Sequence, residues 1–297
     1  MRGKGKLFML LFAILLTLQG LSLTVNAETI ISGGFEGEIY TDGTVMITGY
    51  TGSDEDLVIP KTINGFTVIA IGTSAFNKCS SLVSVTIPNT VTVIEDYAFS
   101  NCSSLVTVDI PDSVTLIGQG AFDNCTSLID IEIPEGLTTI EYYTFSGCNS
   151  LSNIEIPDSV EIIERYAFSE TCYTENSENW TDGVLYIGNW LIEADSEKVT
   201  GIYSIREGTI GIANSGFSGC SDLIGVEVPS TLKNIPGSAF FNCNSLETIT
   251  VSADNLYYIS ADGILFTKDK TELIRYPAGK GDSYYQIPDG VKSIRQQ

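Results

Sequence analysis

Cysteine is the residue of this chain best placed to do chemistry, and its spacing is regular. Cys79, Cys102, Cys125 and Cys148 stand 23 residues apart, Cys172 follows after 24, and Cys220 and Cys243 are again separated by 23. A thiol in an exported protein serves as a disulfide half, a metal ligand or a small buried apolar group. Metal binding asks for thiolates that converge from several directions, and the chain has no C-x-x-C pair. Disulfides between successive copies meet a geometric obstacle. Equivalent residues of a stacked repeat lie about 4.8 Å apart but project in parallel, which makes the required Cβ–S–S–Cβ torsion of roughly 90° hard to reach. The residues favour a ladder of buried free thiols, with Cys172, displaced by one residue, as the exception.

Carboxylates form the second set. One repeat column reads Thr86, Asp109, Glu132 and Glu155, then Glu227 and Thr250, and Asp130 lies two residues before Glu132. On a strand these side chains share a face. Three uses compete: a solvated acidic surface, a recognition face for a basic partner, and a Ca²⁺ site with hard oxygen ligands. A glycosidase pair is disfavoured, because a regular sheet offers no pocket to raise one carboxyl pKa above the other. The chain contains no histidine, which closes the His-activated Ser and Cys mechanisms and imidazole-bound zinc. No catalytic residue, metal or cofactor is expected. The candidate binding residues are Asp109, Asp130, Glu132, Glu155 and Glu227, together with Trp180 and Trp190. The two indoles have an alternative use, in packing the segments that carry them onto the rest of the fold.

Charge narrows the partners. There are 37 acidic and 15 basic side chains among 297 residues, a net charge of −22, which repels nucleic acids and anionic membranes. The N-terminus, "MRGKGKLFMLLFAILLTLQGLSLTVNAETI", has a basic start, an apolar stretch and a small-residue site at Val25-Asn26-Ala27. This pattern predicts a signal peptide over 1–27 and an exported chain, with no membrane-spanning segment once the leader is removed.

The elements that position these groups follow from the repeat. Beside the Cys column run Phe76, Phe99, Phe122, Phe145, Phe168, Phe217 and Phe240, and an isoleucine column from Ile71 to Ile235. The unit is L-x-x-[IV]-x-[IV]-P-x-x-[VL]-x-x-I-x-x-x-A-F-x-x-C-x-S. Val85-Thr86-Ile87 alternates apolar and polar and reads as a short strand, and Pro88 ends its ladder. Val91 and Ile94 mark a second extended piece, and Asp96 to Cys102 a compact turn or 3₁₀ segment that aims Ala98 and Phe99 inward. One unit cannot bury these side chains alone, but stacked copies can. The fold class is a mainly β repeat solenoid, a right-handed coil of short parallel strands with turn and 3₁₀ segments and two inserted β-hairpins.

The I-P…A-F-x-x-C pattern resembles the 23-residue treponemal-type leucine-rich repeat of BspA-like surface proteins, over about residues 35–297. It departs from the more familiar leucine-rich repeat, which places Asn or Cys soon after the strand. The expected organisation is a β cap at 28–58, repeats at 59–172, a hairpin at 173–199, repeats at 200–252, a second hairpin at 253–286 and an incomplete repeat at 287–297. The hairpins, turning at Gly188-Asn189 and Lys268-Asp269-Lys270, are expected to project from the coil. An array that stops within a unit suggests either a fragment or a frayed last coil. The resemblance implies a secreted or cell-surface adhesion scaffold. Its partner would be a protein or glycan, on host matrix or another cell, held on the concave face. The rival readings are the targeting arm of a larger secreted enzyme and a structural spacer.

Overall fold

A computed structural model of the protein describes residues 25–295. The expected leader lies almost wholly outside the described residues. The chain is a mainly β solenoid of about 11 turns with very little helix. Each regular coil contributes to three stacked columns.

The first column is a ladder of parallel strands from the L-x-x-[IV]-x-[IV] segment. Asp56–Val58, Ser84–Thr86 and Thr107–Asp109 pair in register, with Leu57, Val85 and Val108 turned into the core. Farther along, Gly201–Ser204, Leu223–Val228 and Thr248–Val251 form its continuation. The second ladder comes from the isoleucine segment: Phe66–Ile71, Val93–Ile94 and Leu116–Ile117 pair in parallel, and Thr139–Ile140 pairs with Ile162–Ile163. The third column is the A-F-x-x-C turn, whose coils join through bonds such as Phe76 N to Ala98 O at 2.8 Å and Phe99 N to Ala121 O at 2.8 Å.

Two residues of each turn adopt the left-handed conformation, except in the turn at Gly237–Phe240, a 3₁₀ segment in which only Asn242 does so. One column holds Lys78, Asn101, Asn124, Gly147, Glu170, Gly219 and Asn242, and the other Ser74, Tyr97, Gly120, Tyr143, Tyr166 and Ser215. Asn and Gly recur in the first because they reach this region at least cost.

The phenylalanines stack along the axis. Ring centroids lie 4.9 Å apart for Phe76–Phe99, then 5.5, 5.7 and 5.6 Å up to Phe168, all near parallel. Beside them runs the thiol ladder. Cys102, Cys125 and Cys148 are fully buried, and their Sγ atoms donate to Phe76 O, Phe99 O and Phe122 O, one coil back, at 3.1, 3.2 and 3.3 Å. All seven cysteines are free thiols, and Cys172 alone is exposed. Burial pushes the Cys79 thiol up to about 11 and Cys148 to about 12.

Three antiparallel meanders interrupt or begin the array. Val25–Ser32, Phe35–Tyr40 and Thr44–Tyr50 form the first, and Thr44–Ile47 hands on to the second ladder by parallel pairing with Thr67–Ile71. Trp180–Thr181, Val184–Ile187 and Trp190–Ala194 form the second; Tyr258–Ala261, Ile264–Thr267 and Glu272–Arg275 the third. Each again hands its last strand to a rung, Gly211–Ile212 and Ser293–Ile294 respectively. Two corrections follow. The insertions are three-stranded, because Asp182-Gly183 and Asp262-Gly263, all at positive φ, make a further tight turn ahead of each expected hairpin. Nor do they project: Val184, Leu185, Ile187, Leu191, Ile264 and Leu265 are fully buried. The central meander divides the interior. Ile187 and Trp190 join the core that begins at Ile30, whereas Val184, Tyr186, Leu191 and Ala194 join the core that ends at Ile274.

Candidate functional site

The outward residues of the first ladder fall into two columns set by strand register. One contains Val58, Thr86 and Asp109, then Ser204, Glu227 and Thr250; the other Asp56, Ser84 and Thr107, then Ile202, Gly225 and Thr248. Between the two halves lie the coils that carry Asp130, Glu132, Asn153 and Glu155. There the hydrogen-bonded ladder lapses. Among the described residues no backbone hydrogen bond joins 131–133 to 108–110 or to 154–156, although Ile131, Ile133 and Ile154 remain buried. The second ladder divides at the same coil, between Leu116–Ile117 and Thr139–Ile140. The turn column stays joined, through Gly120 N to Tyr142 O at 2.8 Å and Phe122 N to Thr144 O at 2.9 Å. The coils therefore fan open on the ladder sides while held at the turns. The opening coincides with the stack of Asp109, Glu132 and Glu155, like charges that repel at strand spacing.

The opened coils form a groove of about 510 Å³ lined by Asp112, Asp130, Glu132, Glu135, Glu155 and Asp158, together with Asn153 and isoleucines of the same coils. No Lys or Arg lines it. The structure thus brings together three of the predicted residues, Asp130, Glu132 and Glu155. Asp109 sits one rung earlier, beside Thr86, and outside the groove. Glu227 lies beyond the central meander, hydrogen-bonded to Ser204 Oγ. The indoles belong elsewhere. Trp190 is 1% exposed, its ring lying where a side chain on Gly211 would be, so it is core and out of a ligand's reach. Trp180 is half-buried and donates from Nε1 to Thr174 O at 2.8 Å.

Sequence reasoning missed Asp112, Glu135 and Asp158. Each follows the repeat proline, at Pro111, Pro134 and Pro157, so the repeat itself held the signal in a column left unread. Among the described residues no cluster of His, Cys, Asp and Glu has the arrangement of a metal site. No helix among them is long and apolar enough to cross a membrane.

Three carboxyls with raised pKa values lie at or beside the other ladder. Glu95 is 8% exposed, and burial raises its carboxyl pKa against the opposing effect of bonds from Thr73 N and Oγ1 at 2.9 and 2.8 Å. Burial likewise raises Asp96 and Glu141. Glu95 and Asp96 tie one coil to the next, as where Gln119 N donates to Asp96 at 2.8 Å.

Comparison with known proteins follows the architecture. The chain resembles a leucine-rich-repeat protein of T. pallidum, with 28% identity over 74% of this chain and 91% of that one and a TM-score of 0.49. It also resembles a leucine-rich cell surface protein of Faecalibacterium prausnitzii, with 27% identity over 90% of this chain and 66% of that one and a TM-score of 0.46. A comparison with curated proteins gives no match. The repeat region of BspA type matches in six copies, over residues 55–176 and 194–269. The chain belongs to the BspA-type leucine-rich-repeat family.

Proposed function

We propose that the protein is an exported, cell-surface binding scaffold without catalytic activity, and that its acidic groove takes a basic surface of a partner protein. One observation carries this reading: six carboxylates from neighbouring coils line an open groove of about 510 Å³ whose lining includes no Lys or Arg. Such a concentration of one sign steers and orients a cationic partner, and disfavours anionic glycans, lipids and nucleic acids. The side chains are exposed and the groove is open, which suits docking and gives no enclosed, water-poor site in which a carboxyl could be tuned as acid or base. The membership in a surface-protein family and the leader pattern support export.

The test reverses the groove's charge. A variant carrying Asp130→Lys, Glu132→Lys and Glu155→Lys is compared with the parent for adhesion to immobilised basic matrix proteins, at low and at physiological salt. Parent adhesion should weaken with salt, and the folded variant should lose it. Unchanged adhesion by the folded variant rules the groove out.

A further inference from the structure

A second concave site lies on the other ladder, where the central meander interrupts the array. A cleft of about 400 Å³ is lined by Glu161, Ile162, Glu164, Lys233, Asn234 and Arg295, among others. It shares no lining residue with the acidic groove. Its size falls within the range of small-molecule clefts, roughly 300–1,000 Å³. The strand Ile162–Ile163 borders it and has a single strand neighbour, Thr139–Ile140. Ile162 is consequently exposed.

The polar groups here are incompletely used. Asn234 Nδ2 is buried and has no hydrogen-bond partner. Lys233 forms no ion pair among the described residues, and Glu161 accepts no hydrogen bond there. Arg295 is held by Glu272, and Asn214 by Glu164. The cleft therefore offers spare donors and spare acceptors over an aliphatic floor, with both signs of charge present.

A smaller hollow of about 140 Å³ shares Ile163, Glu164 and Asn214 with the cleft and reaches Arg165 and Tyr166. Tyr166 stacks on Tyr143 at 5.3 Å, and the Arg165 guanidinium lies 4.4 Å from the Tyr166 ring centre. Tyr142, Tyr143 and Tyr166 are all exposed. Tyr143 and Tyr166 hold φ of 58° and 64°, at positions that Gly120 and Ser74 fill in other coils. A bulky residue is costly in that conformation, and these rings return little of the cost as core.

We propose that this cleft and the tyrosine strip beside it bind a neutral oligosaccharide. A sugar presents hydroxyls that donate and accept on one rim and C–H faces that lie on aliphatic and aromatic surface, which is the complement of this lining. The chain's net charge of −22 disfavours an anionic glycan, and Glu161 and Glu164 balance Lys233 and Arg295 within the cleft, which leaves it without the surplus of cations an anion would need. An extended peptide would find a strand edge of only two residues to pair with.

The test is calorimetric titration of the mature chain with soluble glucan, mannan, xylan and chitin oligosaccharides. Binding of at least one is expected, weakened about tenfold by Asn234→Ala or by Glu161→Gln. Tyr166→Gly removes the ring without burdening the backbone and should also weaken it. The groove-reversed triple variant should bind as the parent does, which separates this site from the adhesion surface. The proposal is overturned by absence of saturable binding to the whole panel, by binding indifferent to the cleft substitutions, or by binding lost in the triple variant. It is equally overturned if phage-displayed peptides are captured through Asn234 and Glu161 while no oligosaccharide binds.

Discussion

Replacing Cys125 by alanine tests whether the periodic cysteine fills the core or crosslinks it. The side chain is fully buried between coils, and its Sγ donates to Phe99 O at 3.2 Å. Losing a sulfur is comparable to losing one buried methylene, about 0.8 kcal/mol of transfer free energy. A residual cavity of roughly 20 Å³ adds about 0.5 kcal/mol. The weak thiol bond contributes little more, so Cys125→Ala should cost about 1–1.5 kcal/mol. A disulfide to a neighbouring coil would close a loop one repeat long, and its removal would cost about 3–3.5 kcal/mol. The assay is urea denaturation of parent and variant, monitored by circular dichroism with and without a phosphine reductant. Thiols are counted in the denatured parent alongside. The expected result is a modest shift of midpoint, identical in both solvents, and most of the seven cysteines titrating as free. Six oxidised cysteines, or a parent midpoint that collapses on reduction, would refute the thiol ladder.

Other outcomes follow from the same geometry. Cys172 is exposed whereas Cys102, Cys125, Cys148, Cys220 and Cys243 are buried, so native alkylation followed by peptide mass analysis should label Cys172 first. Equal labelling of the buried thiols would show that the coils open readily. Glu95, Asp96 and Glu141 have pKa values raised by burial, so the native state holds these protons more tightly than the unfolded chain. Stability should therefore rise as pH falls from 7 toward the ordinary Glu value of 4.5, and be lost again as pH returns upward. The opposite trend in thermal midpoint across that window would refute the assignment. Asp195 and Asp269, whose pKa values are lowered by hydrogen bonds, stabilise the fold above the ordinary Asp value of 3.8, and that contribution is lost only as pH falls below it, outside this window.

The coil was legible because its period repeats every constraint. Phe99, Ile94, Pro88 and Cys102 each stand in a column, and a column of one residue type stacked on itself has few three-dimensional solutions. What lay outside the columns was harder to read. Trp190 is buried because Gly211, in another coil, leaves room for its ring, and no spacing rule links the two residues. The turns at Asp182-Gly183 and Asp262-Gly263 were visible as dipeptides, but the strand before each is short and its hydrophobic alternation is slight. The groove shows the same division. The acidic column was readable from Asp109 to Glu155, but not the opening of the coils, which turns post-proline residues into walls. That opening depends on backbone bonds not made, and a residue pattern does not record them.

The central meander also sets how far damage travels. Its strand from Trp190 faces one interior with one side and the other interior with the next. A bulky oxidation product at Cys102 or Cys125 would disturb the stack of phenylalanine rings that runs to Phe168, and there the ring stack ends. The ring pair Phe217–Phe240 belongs to the second interior and has its own thiols. The molecule is thus compartmented like a hull: a breach floods one half of the array and leaves the other afloat.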